Sequence, residues 1–465
     1  MLFSSISFLY VFLPIVLVLY FIAPYKVKNY VLLMASLVFY AWGEPRYVVI
    51  MIFQIISGYI FGILVDRYRN RSHIKIILTL SVIVNLGFLI YFKYANFFIT
   101  TFSRATDIQV NLLEISLPIG ISFYTFQILS YVIDVYRKNV LVQKNPFFLA
   151  TYVSFFPQLI AGPIVRYADV EKQLVARKHD YDKIALGIRR FILGLGKKVL
   201  IANTLGELCE KFKNTTDVSV AYYWLYAIAF TLHIYFDFSG YSDMAIGLGK
   251  IFGFDFMENF NYPYISKSIT EFWRRWHISL GGWFRDYVYI PLGGSRVKKI
   301  INIRNILIVW MLTGLWHGAS WNFVLWGAYY GILLILEKFV LKKWIDKLPK
   351  ACKHIYTLIL VIIGWLIFAF DDISLLSEYA KTMFGLNGKF INSTFIYYFS
   401  NYFIILVIAT IFSMPVYQKI ENILKNKKNV WIKFSIVLVV YLVLLIITTA
   451  YLVSDTYNPF LYFRF

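Results

Sequence analysis

No feature of this sequence restricts its architecture as tightly as a set of apolar stretches at residues 5–23, 29–43, 47–65, 74–98, 354–370, 397–415 and 431–453. Most approach the length of helix that crosses a hydrocarbon core, about 20 residues. Within lipid each backbone N–H and C=O must find its partner inside the protein, so spans of this kind fold as helices. The fold class that follows is all-α, a polytopic membrane protein. Composition agrees: 60% of residues are hydrophobic and 15% charged, against roughly half and a quarter in soluble domains. Adding the less regular middle of the chain gives an expectation of about 10 to 12 spans, with re-entrant and interfacial helices besides. The first stretch is read as a retained helix, because Met1 to Leu13 carries no Lys or Arg and no small-residue cleavage site follows.

The net charge is +21, from 46 basic and 25 acidic residues. Many of the basic residues sit in short connectors, such as Lys26/Lys28, Arg67/Arg69/Arg71/Lys75, Arg137/Lys138/Lys144, Lys342/Lys343/Lys347/Lys350 and Lys425/Lys427/Lys428. That is the positive-inside pattern of cytoplasmic loops. The partner it implies is anionic membrane lipid, not nucleic acid. It places the Gly43-Glu44-Pro45 turn and residues 100–115 outside, and Arg67–Lys75 and Arg137–Lys144 inside. Two cysteines, Cys209 and Cys352, form no CxxC pair and no disulfide framework.

The middle is less regular. Pro157, Gly162 and Pro163 interrupt residues 147–165, which predicts a re-entrant or broken helix. Residues 184–208 carry Arg189/Arg190 and Lys197/Lys198 and read as an interfacial amphipathic helix or a span. Between Lys250 and Arg304, Arg, Trp and Tyr are frequent and no apolar run is long enough to span, which suits the interface or a polar cavity. Residues 1–465 are taken as one membrane-embedded domain, with N-terminal helices to 146, a catalytic core over 147–345 and C-terminal helices from 346. Gly58/Gly62, Gly249/Gly253 and Gly327/Gly331 have the spacing of close helix packing.

Of six histidines, His73, His179 and His354 lie in or beside basic connectors and read as solvated. His317 follows an apolar helix and precedes another, and an ionisable group at membrane depth is a functional candidate. Histidine is the usual general base near neutral pH. Gly318-Ala319-Ser320 removes bulk beside it, which leaves room for a substrate to approach. His277 lies upstream, with Glu271, Arg274 and Arg275 close in sequence; a lipid-headgroup contact is the alternative. His233 and Asp237 read as an intrahelical polar pair. No metal-ligand cluster, P-loop or Gly-x-Ser-x-Gly elbow is present. The residues alone leave two classes open, an enzyme and a non-enzymatic transporter or flippase.

Five stretches carry a family resemblance: Tyr235-Phe-Asp-Phe-Ser-Gly-Tyr-Ser-Asp-Met-Ala-Ile-Gly247, Glu258-Asn-Phe-Asn-Tyr-Pro-Tyr264, Ser268-Ile-Thr-Glu-Phe-Trp-Arg-Arg-Trp-His-Ile-Ser-Leu280, Phe284-Arg-Asp-Tyr-Val-Tyr-Ile-Pro-Leu-Gly-Gly294 and Gly314-Leu-Trp-His-Gly-Ala-Ser320. Together they resemble the membrane-bound O-acyltransferase family, most closely the branch with the membrane subunit of alginate O-acetylation. Leu117–Phe126, Phe155–Pro163 and Asn458–Phe463 fit the same branch.

The resemblance implies a ring of tilted helices around a thin centre, with funnels from both faces meeting near the histidines. It makes His317 the catalytic residue and matches His277 to a second polar position; nothing carries over to His233. The candidate substrate- and donor-contacting residues are Arg274, Arg275, Trp316, Glu271 and Asp237, with lipid headgroups the alternative for the arginines. The donor implied is acetyl-CoA or another acyl thioester, with no other cofactor and no metal. The acceptor implied by the resemblance is an extracytoplasmic polysaccharide or cell-wall glycan, reached with a separate SGNH-type transferase as the implied partner. The location implied is the bacterial plasma membrane, multi-pass. D-alanyl transfer to teichoic acid is the runner-up; Gly293-Gly294 and Phe155–Pro163 favour the polysaccharide branch.

Overall fold

The computed structural model describes every residue except 216, 218, 387, 426–429, 455–456 and 462–465, and omits the side chains of 421, 423–425 and 430–434. Lys427, Lys428 and the last two residues of Asn458–Phe463 therefore lie outside the described residues. Among those described there is no strand, only an isolated bridge between Ser219 and Lys389. The first eleven helices are α1 (Phe8–Ile22), α2 (Lys28–Gly43), α3 (Val48–Arg67), α4 (Ile74–Thr106), α5 (Ile121–Arg137), α6 (Pro146–Ser154), α7 (Phe156–Leu159), α8 (Tyr167–Val175), α9 (Tyr181–Gly196), α10 (Asn203–Lys213) and α11 (Val220–Ile251). After them come the short α12 (Ile269–Arg275) and α13 (Ile278–Phe284), then α14 (Lys299–His317), α15 (Trp321–Lys347), α16 (Lys350–Ala369), α17 (Ser393–Phe412) and α18 (Ser435–Ser454).

Seven helices among the described residues, α3, α4 and α14–α18, are long and apolar enough to cross a membrane. The other apolar stretches fold as shorter helices: α2 has 16 residues and α5 has 17. At 1.5 Å per residue such helices reach only ~25 Å, less than a typical hydrocarbon core. The 32-residue α11 is long enough but carries His233, Asp237 and Asp243.

By internal packing the chain divides into two units, Met1–Phe191 with Tyr241–Met257, and Ile192–Gly240 with Glu258–Phe465. In the first, Gly58 and Gly62 bring α3 against α5, where an added Cβ would come within 2.6 Å of Ile128 and 2.8 Å of Tyr131. Residues 147–165 form a broken helix as expected. α6 stops at Ser154, Phe155 leaves the helical region, α7 makes one turn onto Pro157, and no helix follows until Tyr167. Arg190 of α9 donates to Asp243 at 2.7 Å.

The second unit holds Lys198, which pairs with Asp237 at 2.5 Å and is 1% exposed. The basic pairs of residues 184–208 therefore each turn one cation onto a carboxylate of α11. A buried cation needs such a partner, so this stretch is held by protein contacts in place of a purely headgroup-facing surface. The Lys198–Asp237 pair also receives the C-terminal segment, through the Pro459 carbonyl and the Leu461 amide.

α14 and α15 pack backbone to backbone. A Cβ on Gly314 would collide with the Phe323 carbonyl, and one on Gly327 with the Trp310 carbonyl. α16 joins this pair, with Gly364 leaving room for the Tyr330 ring and Asn322 donating to the Phe368 carbonyl at 3.2 Å.

Candidate active site

Every candidate site residue lies in the second unit. α14 ends at His317 because Gly318 is extended, and Ser320, also extended, starts α15. The last side chain of a candidate span is thus turned inward: His317 is 3% exposed. Its ring sits edge-on to Trp326 at 5.1 Å and Phe368 at 5.4 Å. The space left by Gly318 is filled by the Phe323 ring, so that glycine serves the close packing of α14 against α15.

His277 joins α12 to α13 with left-handed backbone, φ 45° and ψ 54°. A non-glycine residue in that region costs about 1–2 kcal/mol, so the turn must be held from outside. Asn259 holds it: its carbonyl accepts from the Ile278 amide at 3.0 Å, and its Oδ1 lies 3.2 Å from His277 Nδ1. His277 is 2% exposed, with Phe238 edge-on at 4.7 Å. Burial pushes its pKa down to about 3, so the ring is neutral near pH 7.

His277 and His317 line one cavity of about 760 Å³, within the range of ligand-binding clefts. Trp276, Leu280, Phe284, Val309 and Trp310 give it an apolar wall. Its exposed lining includes Arg274, Arg285, Lys338 and Lys342. His277, Gly281 and Arg285 follow one another at helical spacing along that wall. A Cβ on Gly281 would meet no atom within 4 Å, so this turn presents bare backbone to the cavity.

The remaining candidates separate. Arg274 lines the cavity, whereas Arg275 turns into an ion pair with Glu271 at 2.9 Å and donates to the Asn261 carbonyl at 3.1 Å. Glu271 lines the cavity while making that pair and accepting from the Lys267 amide at 3.0 Å. Trp316 is buried edge-on against both imidazoles, 5.9 Å from His277 and 5.1 Å from His317. Asp237 does not line the cavity; it is occupied by Lys198. His233 lies within 2.6 Å of the Ala202 carbonyl and is also absent from the lining. Gly293 and Gly294 have positive φ, and Asn302 and Asn305 bind the Gly294 carbonyl at 2.9 and 3.3 Å, so that motif is a pinned turn.

Glu337 lay outside the candidates drawn from the sequence, although an acid inside an apolar helix is a visible signal. It is 5% exposed and caps the start of α12, accepting from the Ile269 amide at 2.7 Å, the Thr270 amide at 3.0 Å and the Thr270 hydroxyl at 2.9 Å. Glu337→Ala strips three donors of a charged acceptor and is expected to lower stability by about 3 kcal/mol. Thermal unfolding in detergent reads this, and an unchanged midpoint would remove the capping role.

A family model for the membrane-bound O-acyltransferase family matches residues 68–406. The chain is 43% identical over 393 residues to the probable alginate O-acetylase AlgI of Azotobacter vinelandii, covering 83% of this chain and 78% of that protein. It is 35% identical over 424 residues to the peptidoglycan O-acetyltransferase of Helicobacter pylori, covering 83% and 80%. A teichoic acid D-alanyltransferase of Bacillus subtilis is 32% identical over 257 residues, covering 53% of this chain and 65% of that protein.

Proposed function

The chain belongs to the membrane-bound O-acyltransferase family, and from that premise we propose that it moves an acetyl group from a cytoplasmic thioester to a hydroxyl of a cell-surface polysaccharide or cell-wall glycan. It is a multi-pass membrane enzyme of the O-acyltransferase type, which sets aside the transporter reading. The names of the relatives support a glycan acceptor and an acetyl group. The D-alanyl relative matches over a smaller share of the chain, so acetyl transfer is the reading put first. The membrane is the cell membrane, and the final acceptor is reached through an extracytoplasmic SGNH-type transferase.

The observation that carries the proposal is two buried imidazoles on one cavity whose exposed lining is rich in cations. His317 takes the proton from an acceptor hydroxyl as its oxygen attacks the thioester carbonyl. The C–O bond forms, the C–S bond breaks, and the thiolate leaves with the proton that the imidazolium returns. The C-terminal end of α14 favours the positive charge on that ring while it holds the proton. His277 orients the hydroxyl or stabilises the developing charge. Arg274 and its cationic neighbours hold the phosphates of an anionic donor such as acetyl-CoA. The thioester is already activated and serves as co-substrate, so the reaction calls for no further cofactor or metal.

The test is label transfer from acetyl thioester in membranes containing the full chain and its glycan-producing background. Acetyl ester on the glycan is the expected product; D-alanyl ester alone, or no ester, overturns the assignment. Gly281→Phe should leave the amount of folded protein unchanged and lower transfer by roughly 100-fold, because the added ring obstructs placement of the thioester. Gly281→Ala should stay near the parent rate. Full transfer by the Phe variant would show that the donor does not use this wall.

A further inference from the structure

We propose that Asn259 is the positioning residue that decides which ring nitrogen of His277 carries the proton, placing it on Nδ1 and leaving Nε2 as the accepting atom. The inference rests on the acyl-transfer reading for its functional consequence, and on hydrogen-bond geometry for the rest.

Asn259 is fully buried, and its Oδ1 lies 3.2 Å from the Ser279 amide, 2.9 Å from the Ser279 hydroxyl and 3.2 Å from His277 Nδ1. An amide side chain has an oxygen that accepts and a nitrogen that donates. A backbone N–H can only donate, so the Ser279 amide identifies the Asn259 atom in front of it as oxygen. That oxygen in turn requires a proton on the imidazole nitrogen it faces. The other arrangement would have Nδ1 accept from the Ser279 hydroxyl, which lies farther off at 3.5 Å. That hydroxyl has one hydrogen, and the shorter contact, to Asn259, takes it.

Neutral imidazole carries one ring proton. With that proton on Nδ1, Nε2 holds the lone pair. His277 then accepts a hydrogen bond from the acceptor hydroxyl and does not donate to a developing oxyanion, which chooses between the two roles left open above. The same residue grips the left-handed turn through the Ile278 amide at 3.0 Å, so one side chain and its own carbonyl fix both the direction and the tautomer of the ring. Orienting partners of this kind act through the histidine they hold.

The experiment uses full-length protein in nanodiscs with 15N-labelled histidine, and His277→Gln identifies the His277 ring signals. The expected spectrum has a protonated Nδ1 and an unprotonated Nε2. Asn259→Leu should mix the tautomers and lower kcat about 10- to 100-fold, with KM for the thioester nearly unchanged. Asn259→Asp, which keeps an accepting oxygen, should restore most of the rate. An Nε2-protonated ring in the parent protein, or parent kcat in Asn259→Leu, overturns the proposal. If Asn259→Leu does not insert, the parent spectrum and the Asp variant decide. The expected tautomer together with no acyl transfer to any glycan would sink the proposed function and leave this assignment standing.

Discussion

Replacing His317 with alanine is expected to lower acyl transfer by about 10²- to 10⁴-fold, the usual contribution of a positioned general base. The ring is 3% exposed, it lines the same cavity as His277, and it stands at the end of a membrane-length helix. Alanine also leaves a void between Trp326 and Phe368, and a buried void destabilises on its own. His317→Gln separates the two effects, since it fills most of the space and keeps hydrogen-bonding atoms but cannot take up a proton near neutral pH. Both variants should insert, and both should fail to transfer label from the thioester. Glutamine at more than half the parent rate would show that the residue packs the site without exchanging a proton.

The largest expected effect on stability comes from the joint between α14 and α15. Gly314→Val and Gly327→Val each drive a side chain into a backbone carbonyl, of Phe323 and Trp310 respectively. Overpacking a core against movable side chains costs about 1–3 kcal/mol. A carbonyl inside a helix cannot turn aside, so more than ~3 kcal/mol is expected here. The consequence is loss of monodisperse protein on extraction, and with it loss of the cavity, since Val309, Trp310, Thr313 and His317 all line it from α14. Gly87→Val is the matched control, because nothing lies within 4 Å of a Cβ there and the position is exposed. Equal recovery of all three variants would refute the glycine joint.

Part of the site was readable along the chain. His317 announced itself as an ionisable group bounded by two apolar helices, and the motifs around His277 and His317 pointed to one family, which the match over residues 68–406 establishes. Other signals were present without a direction. Arg274 and Arg275 are neighbours in the same short helix, yet one lines the cavity and the other closes on Glu271. A helix turns about 100° per residue, so adjacent side chains point to different surroundings. Asp237 looked available beside His233, but Lys198 and the C-terminal segment claim it. Gly318 looked like room for a substrate, and Phe323 occupies that room.

The sequence by itself determined that this chain is helical and spans a membrane, because span length and apolarity are properties of a single segment weighed against the thickness of a bilayer. Tertiary structure alone decided that Asn259 meets His277, that Glu337 caps α12, and that Asp237 is taken by Lys198 away from the cavity. Those outcomes depend on where segments separated in the chain, loops as well as helices, come to rest against one another. Packing sets that arrangement through glycine joints and buried polar pairs, and no local window of residues encodes it.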